Sequence, residues 1–164
     1  MRSEIDVLIP TCDRPCALAL TLMSLAAQTF REMRVIISDQ SERSELSGCG
    51  ELQAALRFFS LGGRRIELIK HLPKRGLAEQ RAFLLERAQA AHVLFLDDDL
   101  ILAGQTVARL FGMMTRERCG FVGAAPIGLS FIDDIRLDEQ QIEFWDGPVR
   151  PEAIWTNSAP WRPS

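Results

Sequence analysis

Three consecutive carboxylates, Asp97, Asp98 and Asp99, follow a short apolar run, Val93-Leu94-Phe95-Leu96. Adjacent like charges repel unless a cation sits among them. Mg²⁺ and Mn²⁺ take one or two carboxylates together with phosphate oxygens, which is what such a cluster offers. On an extended backbone alternate side chains share a side, so Asp97 and Asp99 are expected to point the same way. The plain alternative is a solvated acidic turn capping the next helix. Position directly after a buried strand favours the metal and phosphate reading.

Other polar groups occupy equivalent places. Ile5 to Ile9 reads as a buried strand closed by Pro10-Thr11, Arg34 to Ser38 as a second ending at Asp39, and Ile66 to Lys70 as a third running toward Lys74-Arg75-Gly76. Ligands of open α/β sheets bind outside the carboxyl ends of the strands. If the strands are parallel, all these patches meet the aspartates on one edge.

The elements that must position them alternate regularly. Asp13 or Thr11 can cap a helix starting near Arg14 and Pro15, striped by Leu18, Leu22, Leu25 and Ala26. Glu51 to Phe59 is helical after a polar loop, with Leu52, Leu56 and Phe59 inward, and Gly62-Gly63 ends it. Leu77 to Ala88 presents Leu77, Leu84, Leu85 and Ala88. Gln105 to Thr115 is a further helix, Gly120 to Ala125 a fifth strand, and Ile142 to Trp145 a candidate sixth. The β-α alternation predicts an α/β, Rossmann-like, doubly wound and mainly parallel sheet.

Composition narrows the function classes. The 164 residues suit one ordinary core, and a net charge of -3 argues against binding a nucleic-acid backbone. A basic stretch, Arg64, Arg65, Lys70, His71, Lys74, Arg75 and Arg81, is the local exception. No run approaches the ~20 apolar residues of a membrane span, and no signal peptide is visible. Cys12, Cys16, Cys49 and Cys119 form no metal-ligand array with His71 and His92 and read as reduced thiols. A cytoplasmic location is expected, with peripheral attachment to the inner face of the membrane left open.

Four segments in order, Ile5 to Thr11, Val35 to Ser41, Arg75 to Arg81 and Leu94 to Leu102, resemble the successive motifs of family 2 glycosyltransferases with the A-type fold. The resemblance implies transfer of a sugar, hexosyl type, from a nucleoside-diphosphate sugar to an acceptor hydroxyl, with inversion. It implies Mn²⁺ or Mg²⁺ as cofactor, held by Asp97 and Asp99, the outer members of a D-x-D motif with Asp98 in the middle place. A UDP-sugar is the expected donor, and the acceptor is an unspecified sugar or lipid-linked group. The implied nucleotide-binding set is Pro10, Thr11, Asp13, Arg14, Asp39, Gly76, Arg81, Asp97 and Asp98. Within it Asp39 accepts from the base and Arg81 approaches the diphosphate.

The sequence also departs from the family. Cys12 stands where an aromatic is common, Ser38 replaces an acid, Gln40 a glycine, and Ala82 an asparagine. Residues 1-127 read as the nucleotide-sugar-binding domain and 128-164 as an irregular extension beginning an incomplete acceptor-binding part. None of Asp133, Asp134, Asp138, Glu139, Glu143, Asp146 or Glu152 is identifiable as the catalytic base, so the catalytic residue is unassigned. The competing expectation is a non-catalytic nucleotide-sugar-binding or interaction module. If the acceptor-binding half is absent, Phe131, Phe144, Trp145, Trp155 and Trp161 leave apolar surface uncovered, which favours self-association or a partner chain.

Overall fold

The computed structural model describes residues 3–42 and 46–124, and the structural statements that follow concern these residues. They fall within the first of the two units into which the chain divides, Met1–Pro126. The candidate strand at 142–145, the extension at 128–164 with its carboxylates and aromatics, and the boundary near 127 lie outside them.

Four parallel strands, β1 (Ile5–Thr11), β2 (Met33–Asp39), β3 (Arg65–Lys70) and β4 (His92–Phe95), form one sheet in the order β3-β2-β1-β4. The two central strands are buried along their whole length, as expected where helices cover both faces of a parallel sheet. Edge strands β3 and β4 are largely half-exposed or exposed.

Side-chain alternation along β1 and β2 divides the core. Val7, Ile9, Val35 and Ile37 join α1 (Pro15–Ala26), α2 (Gly50–Leu61) and α4 (Thr106–Glu117) in one cluster through Leu18, Leu22, Leu25, Leu52, Phe59 and Val107. Leu8 and Ile36 face the other way and meet Leu84 of α3 (Leu77–Leu85). Helices on both faces make the sheet doubly wound, as the alternation predicts. Removal of each such apolar side chain from water contributes roughly 1.5–3 kcal/mol, the main force holding helices to sheet.

Several expectations change in detail. Neither Thr11 nor Asp13 caps α1: Arg14 occupies the cap position without a side-chain hydrogen bond. Thr11 is drawn instead toward Asp98, and Asp13 takes a left-handed φ of 54°. Helix α3 stops at Leu85, and only Gln80 and Leu84 are buried, because Leu77 and Leu85 turn outward. Residues 120–124 form no strand; Gly120 and Gly123 offer no side chain to pack, and Phe121 is 86% exposed.

Candidate functional site

Register brings the strand ends together. Thr11 is paired with Asp39 at the end of the β1–β2 ladder, and Asp39 with Lys70 at the end of β2–β3. Strand β4 ends earlier, at Phe95 beside Leu8, so the aspartates run on next to the last residues of β1. The Leu96 amide still donates to the Leu8 carbonyl at 3.1 Å. Asp98 and Asp99 then form a turn.

That turn breaks the expected alternation. Asp97 and Asp99 do not share a partner: Arg81 Nη2 donates to Asp97 Oδ1 at 2.9 Å, while Arg14 Nη2 donates to Asp99 Oδ2 at 2.8 Å. Asp98 is the buried member. Its Oδ2 accepts from Thr11 Oγ1 at 2.6 Å and its Oδ1 from Arg14 Nη1 at 3.2 Å. Burial pushes the Asp98 carboxyl above its ordinary range, opposed by the Thr11 hydroxyl and the Arg14 charge, with Asp99 adding repulsion.

A cleft of about 200 Å³ opens here, lined by Pro10, Thr11, Cys12, Arg14, Gln40, Lys74, Gly76, Leu77, Gln80 and Asp98. Pro10, Thr11, Arg14, Gly76 and Asp98 of the sequence-derived set thus share one wall. Asp97, Asp99 and Arg81 reach it through ion pairs with their neighbours or sit beside its lining residues in the chain. Asp39 is buried at the far end of β2, where Lys70 Nζ donates to Oδ2 at 3.0 Å and the Ser41 amide to Oδ1 at 2.8 Å. The Asp13 amide donates to Ser41 Oγ at 2.7 Å, which ties the β1–α1 turn to the β2–α2 loop.

Three polar side chains that sequence reasoning missed hold this edge. Gln80 is buried and donates to the carbonyls of Thr11 and Ser38 at 3.0 and 2.6 Å, bridging β1 and β2. Gln40 Oε1 accepts from the amides of Arg75 and Gly76, and its amide group donates to Glu79. Glu79 also pairs with His71, whose ring stacks on Phe83 at 3.5 Å. The signal for Gln80 was its helical spacing from Leu84, which puts a polar residue on the inward face. Gln40 carried no such signal.

Gly76 precedes α3 with φ 95° and ψ 173°, a backbone region open almost only to glycine. The basic stretch does not act as one patch. Arg64 turns inward to the carbonyls of Leu25 and Ala26, and Lys70 is engaged by Asp39, which leaves Lys74 on the cleft wall.

Among the described residues no group of three or more His, Cys, Asp and Glu is arranged to hold a metal by itself. The donor chemistry nonetheless fits a cation shared with a ligand. Asp97 and Asp99 side chains are 53% and 43% exposed. Each has one oxygen bound to arginine, and among the described residues the second oxygen of each carries no hydrogen bond.

A parallel doubly wound sheet with a carboxylate- and arginine-lined cleft at its carboxyl edge belongs to the class of nucleotide-binding α/β folds. Sequence comparison makes the class specific: glycosyl transferase family 2 matches residues 6–154, and the chain belongs to that family. Among solved structures, S. aureus TarS 1-349 superposes with a TM-score of 0.59 at 19% identity, over 80% of this chain and 39% of its own. The same protein in complex with UDP-GlcNAc gives 0.59 at 19%, over 76% and 37%. The mannosyltransferase PcManGT from Pyrobaculum calidifontis, in complex with GDP-Man and Mn²⁺, gives 0.55 at 18%, over 70% and 33%. The fold is therefore that of A-type glycosyltransferases, and the chain spans about a third of the length of these three structures. No curated protein sequence matches the chain. No helix among the described residues is long and apolar enough to cross a membrane.

Proposed function

We propose that the chain is the nucleotide-sugar-binding part of a metal-dependent glycosyltransferase that passes a hexosyl group from a UDP-sugar to an acceptor hydroxyl with inversion. Family membership supports glycosyl transfer in general. The observation that carries the finer reading is the pair of half-exposed carboxylates, Asp97 and Asp99, each matched to an arginine at the edge of the sheet where the cleft lined by Thr11, Arg14 and Asp98 opens.

In this reading Asp39 and the Ser41 loop receive the base, while Gly76 lets α3 begin beside the diphosphate. Arg14, Arg81 and Lys74 bring positive charge to the phosphates. A divalent ion held by Asp97 and Asp99 would supply Lewis-acid stabilisation to the departing nucleoside diphosphate. Thr11 and Gln80 keep the two central strand ends at a fixed separation, so the pocket is formed before the ligand arrives. That the structures of similar fold were solved with UDP-GlcNAc or with GDP-Man and Mn²⁺ supports a nucleotide-sugar ligand and a divalent metal. The acceptor-binding part and the general base belong to residues after 124 or to further chain. A location in the cytoplasm, at the inner face of the membrane, accords with this donor.

The experiment is a thermal-shift series with UDP, GDP, ADP and CDP, each with and without Mn²⁺. A ligand that binds only the folded form raises the midpoint by mass action, and a Mn²⁺-dependent shift with UDP is expected. No shift with any nucleotide would sink the reading. Shifts without transfer or hydrolysis of a sugar nucleotide would favour a non-catalytic binding module instead.

A further inference from the structure

Residues 71–76 carry no regular secondary structure, yet they bring Lys74 and Gly76 to the cleft wall. The apolar core does little to hold them. Leu72 and Leu77 are 48% and 50% exposed, and Pro73, Lys74 and Arg75 are exposed. Among the described residues only two backbone N–H groups of 72–76 have a partner, those of Arg75 and Gly76. Both donate to Gln40 Oε1, at 3.2 and 3.3 Å. Gln40 directly follows β2 and is buried. Its own amide donates to the Thr11 carbonyl at 3.0 Å, and its carbonyl accepts from the Cys12 thiol. One buried residue thus anchors the segment to both central strands.

The Gln40 carboxamide has one allowed orientation. Backbone amides only donate and a carboxylate only accepts, so Oε1 must face Arg75 and Gly76. Nε2 then donates to Glu79 Oε2 at 3.0 Å, and Glu79 Oε1 lies 3.2 Å from His71 Nε2. His71 Nδ1 is 3.2 Å from Ser38 Oγ, which closes the chain of contacts back onto β2. A glycine, the residue common at this place in the family, makes none of these side-chain bonds. A glutamate would set its second oxygen against Glu79. Among the described residues Lys74 makes no hydrogen bond or ion pair, which leaves its ammonium for an anion in the cleft.

We propose that Gln40, oriented by Glu79, is a positioning residue that fixes the 72–76 segment so that Lys74 meets the diphosphate of the nucleotide. The inference rests on the nucleotide-sugar reading of the cleft. Gln40 acts through Lys74, which supplies the charge.

The test measures UDP and uridine affinity with Mn²⁺ by isothermal titration for the parent, K74A, Q40M, Q40M/K74A and Q40E/E79Q. K74A and Q40M should each weaken UDP by roughly tenfold and leave uridine unchanged. Q40M/K74A should bind UDP no more weakly than K74A, because both changes remove one interaction. Q40E/E79Q exchanges acceptor and donor across the pair at unchanged net charge, and should return UDP affinity to within about twofold of the parent. If Q40M does not fold, Q40N carries the same expectation, since it is one methylene too short to span Glu79 and the two amides. Parent-like UDP affinity in folded Q40M, equal weakening for uridine, additive losses in Q40M/K74A, or an exchanged pair as weak as Q40M would each overturn the proposal. A parent that binds no nucleotide would sink the reading of the cleft instead. Amide exchange needs no ligand: at Arg75 and Gly76 it should quicken by roughly tenfold in Q40M, and unchanged rates would overturn the anchoring role.

Discussion

Thr11 Oγ1 and Asp98 Oδ2 lie 2.6 Å apart across a chain separation of 87, the same offset that sets Leu8 beside Phe95 in the β1–β4 ladder. Strand β4 ends at Phe95, yet its register continues as a side-chain bond. The buried aspartate is therefore fixed by the sheet rather than by its own turn. Thr11→Val keeps the shape and removes only the hydroxyl. A loss of about 1–3 kcal/mol is expected, read as a lower urea midpoint at unchanged slope. A variant as stable as its parent would show that the bond contributes nothing.

Asp97 and Asp99 pair with arginines at exposed positions, where ion pairs add little to stability. Asp97→Ala/Asp99→Ala should keep the urea midpoint within about 1 kcal/mol of the parent. The same variant should lose the Mn²⁺-dependent part of UDP binding in isothermal titration. Retained metal-linked affinity in the folded double variant would remove both residues from the proposed site.

Arg81→Ala separates binding from folding in the same manner. Its stability should change by less than about 1 kcal/mol. UDP affinity should fall by roughly tenfold, the effect of about 1.4 kcal/mol. Uridine, which has no phosphate, should bind both proteins equally; equal weakening for uridine would place the effect away from the diphosphate.

Asp6 tests the opposite end of the sheet. It is buried with Arg34, whose Nη2 lies 2.6 Å from Oδ2, and it also accepts from the amides of Gln89 and Ala90. Burial alone would raise the Asp6 carboxyl, but the hydrogen bonds from Arg34 and the two amides, with the guanidinium charge, hold it below the usual carboxylate range. A depressed folded value means that its stabilisation is complete above the unfolded value near 3.8 and fades as pH falls through the lower folded one. Asp6→Asn, by leaving Arg34 buried without a counter-charge, should cost about 3–5 kcal/mol at neutral pH. The difference from the parent should shrink below that window in acid titrations followed by circular dichroism. A constant difference would refute the assignment.

Gly76→Ala addresses the backbone at the start of α3. An added Cβ meets no atom within 4 Å, so the expected cost of about 1–3 kcal/mol comes from φ 95° alone. Thermal denaturation should show it, and an unchanged midpoint would mean that the turn readily adopts another conformation.

The sequence by itself determined the layout. Apolar runs closed by polar residues at Thr11, Asp39 and Asp97 were enough to read parallel strands with these polar residues on one edge. That reading succeeds because a central parallel strand must be apolar on both faces, a pattern visible in linear order. Tertiary structure alone decided which carboxylate is buried, which arginine each meets, and that Gln80 and Gln40 hold the cleft edge. Those pairings depend on where β4 stops relative to β1 and on residues far apart in the chain. Of the strand expected at 120–125, the described residues 120–124 form none, since a strand is made by a neighbour that its own sequence does not contain.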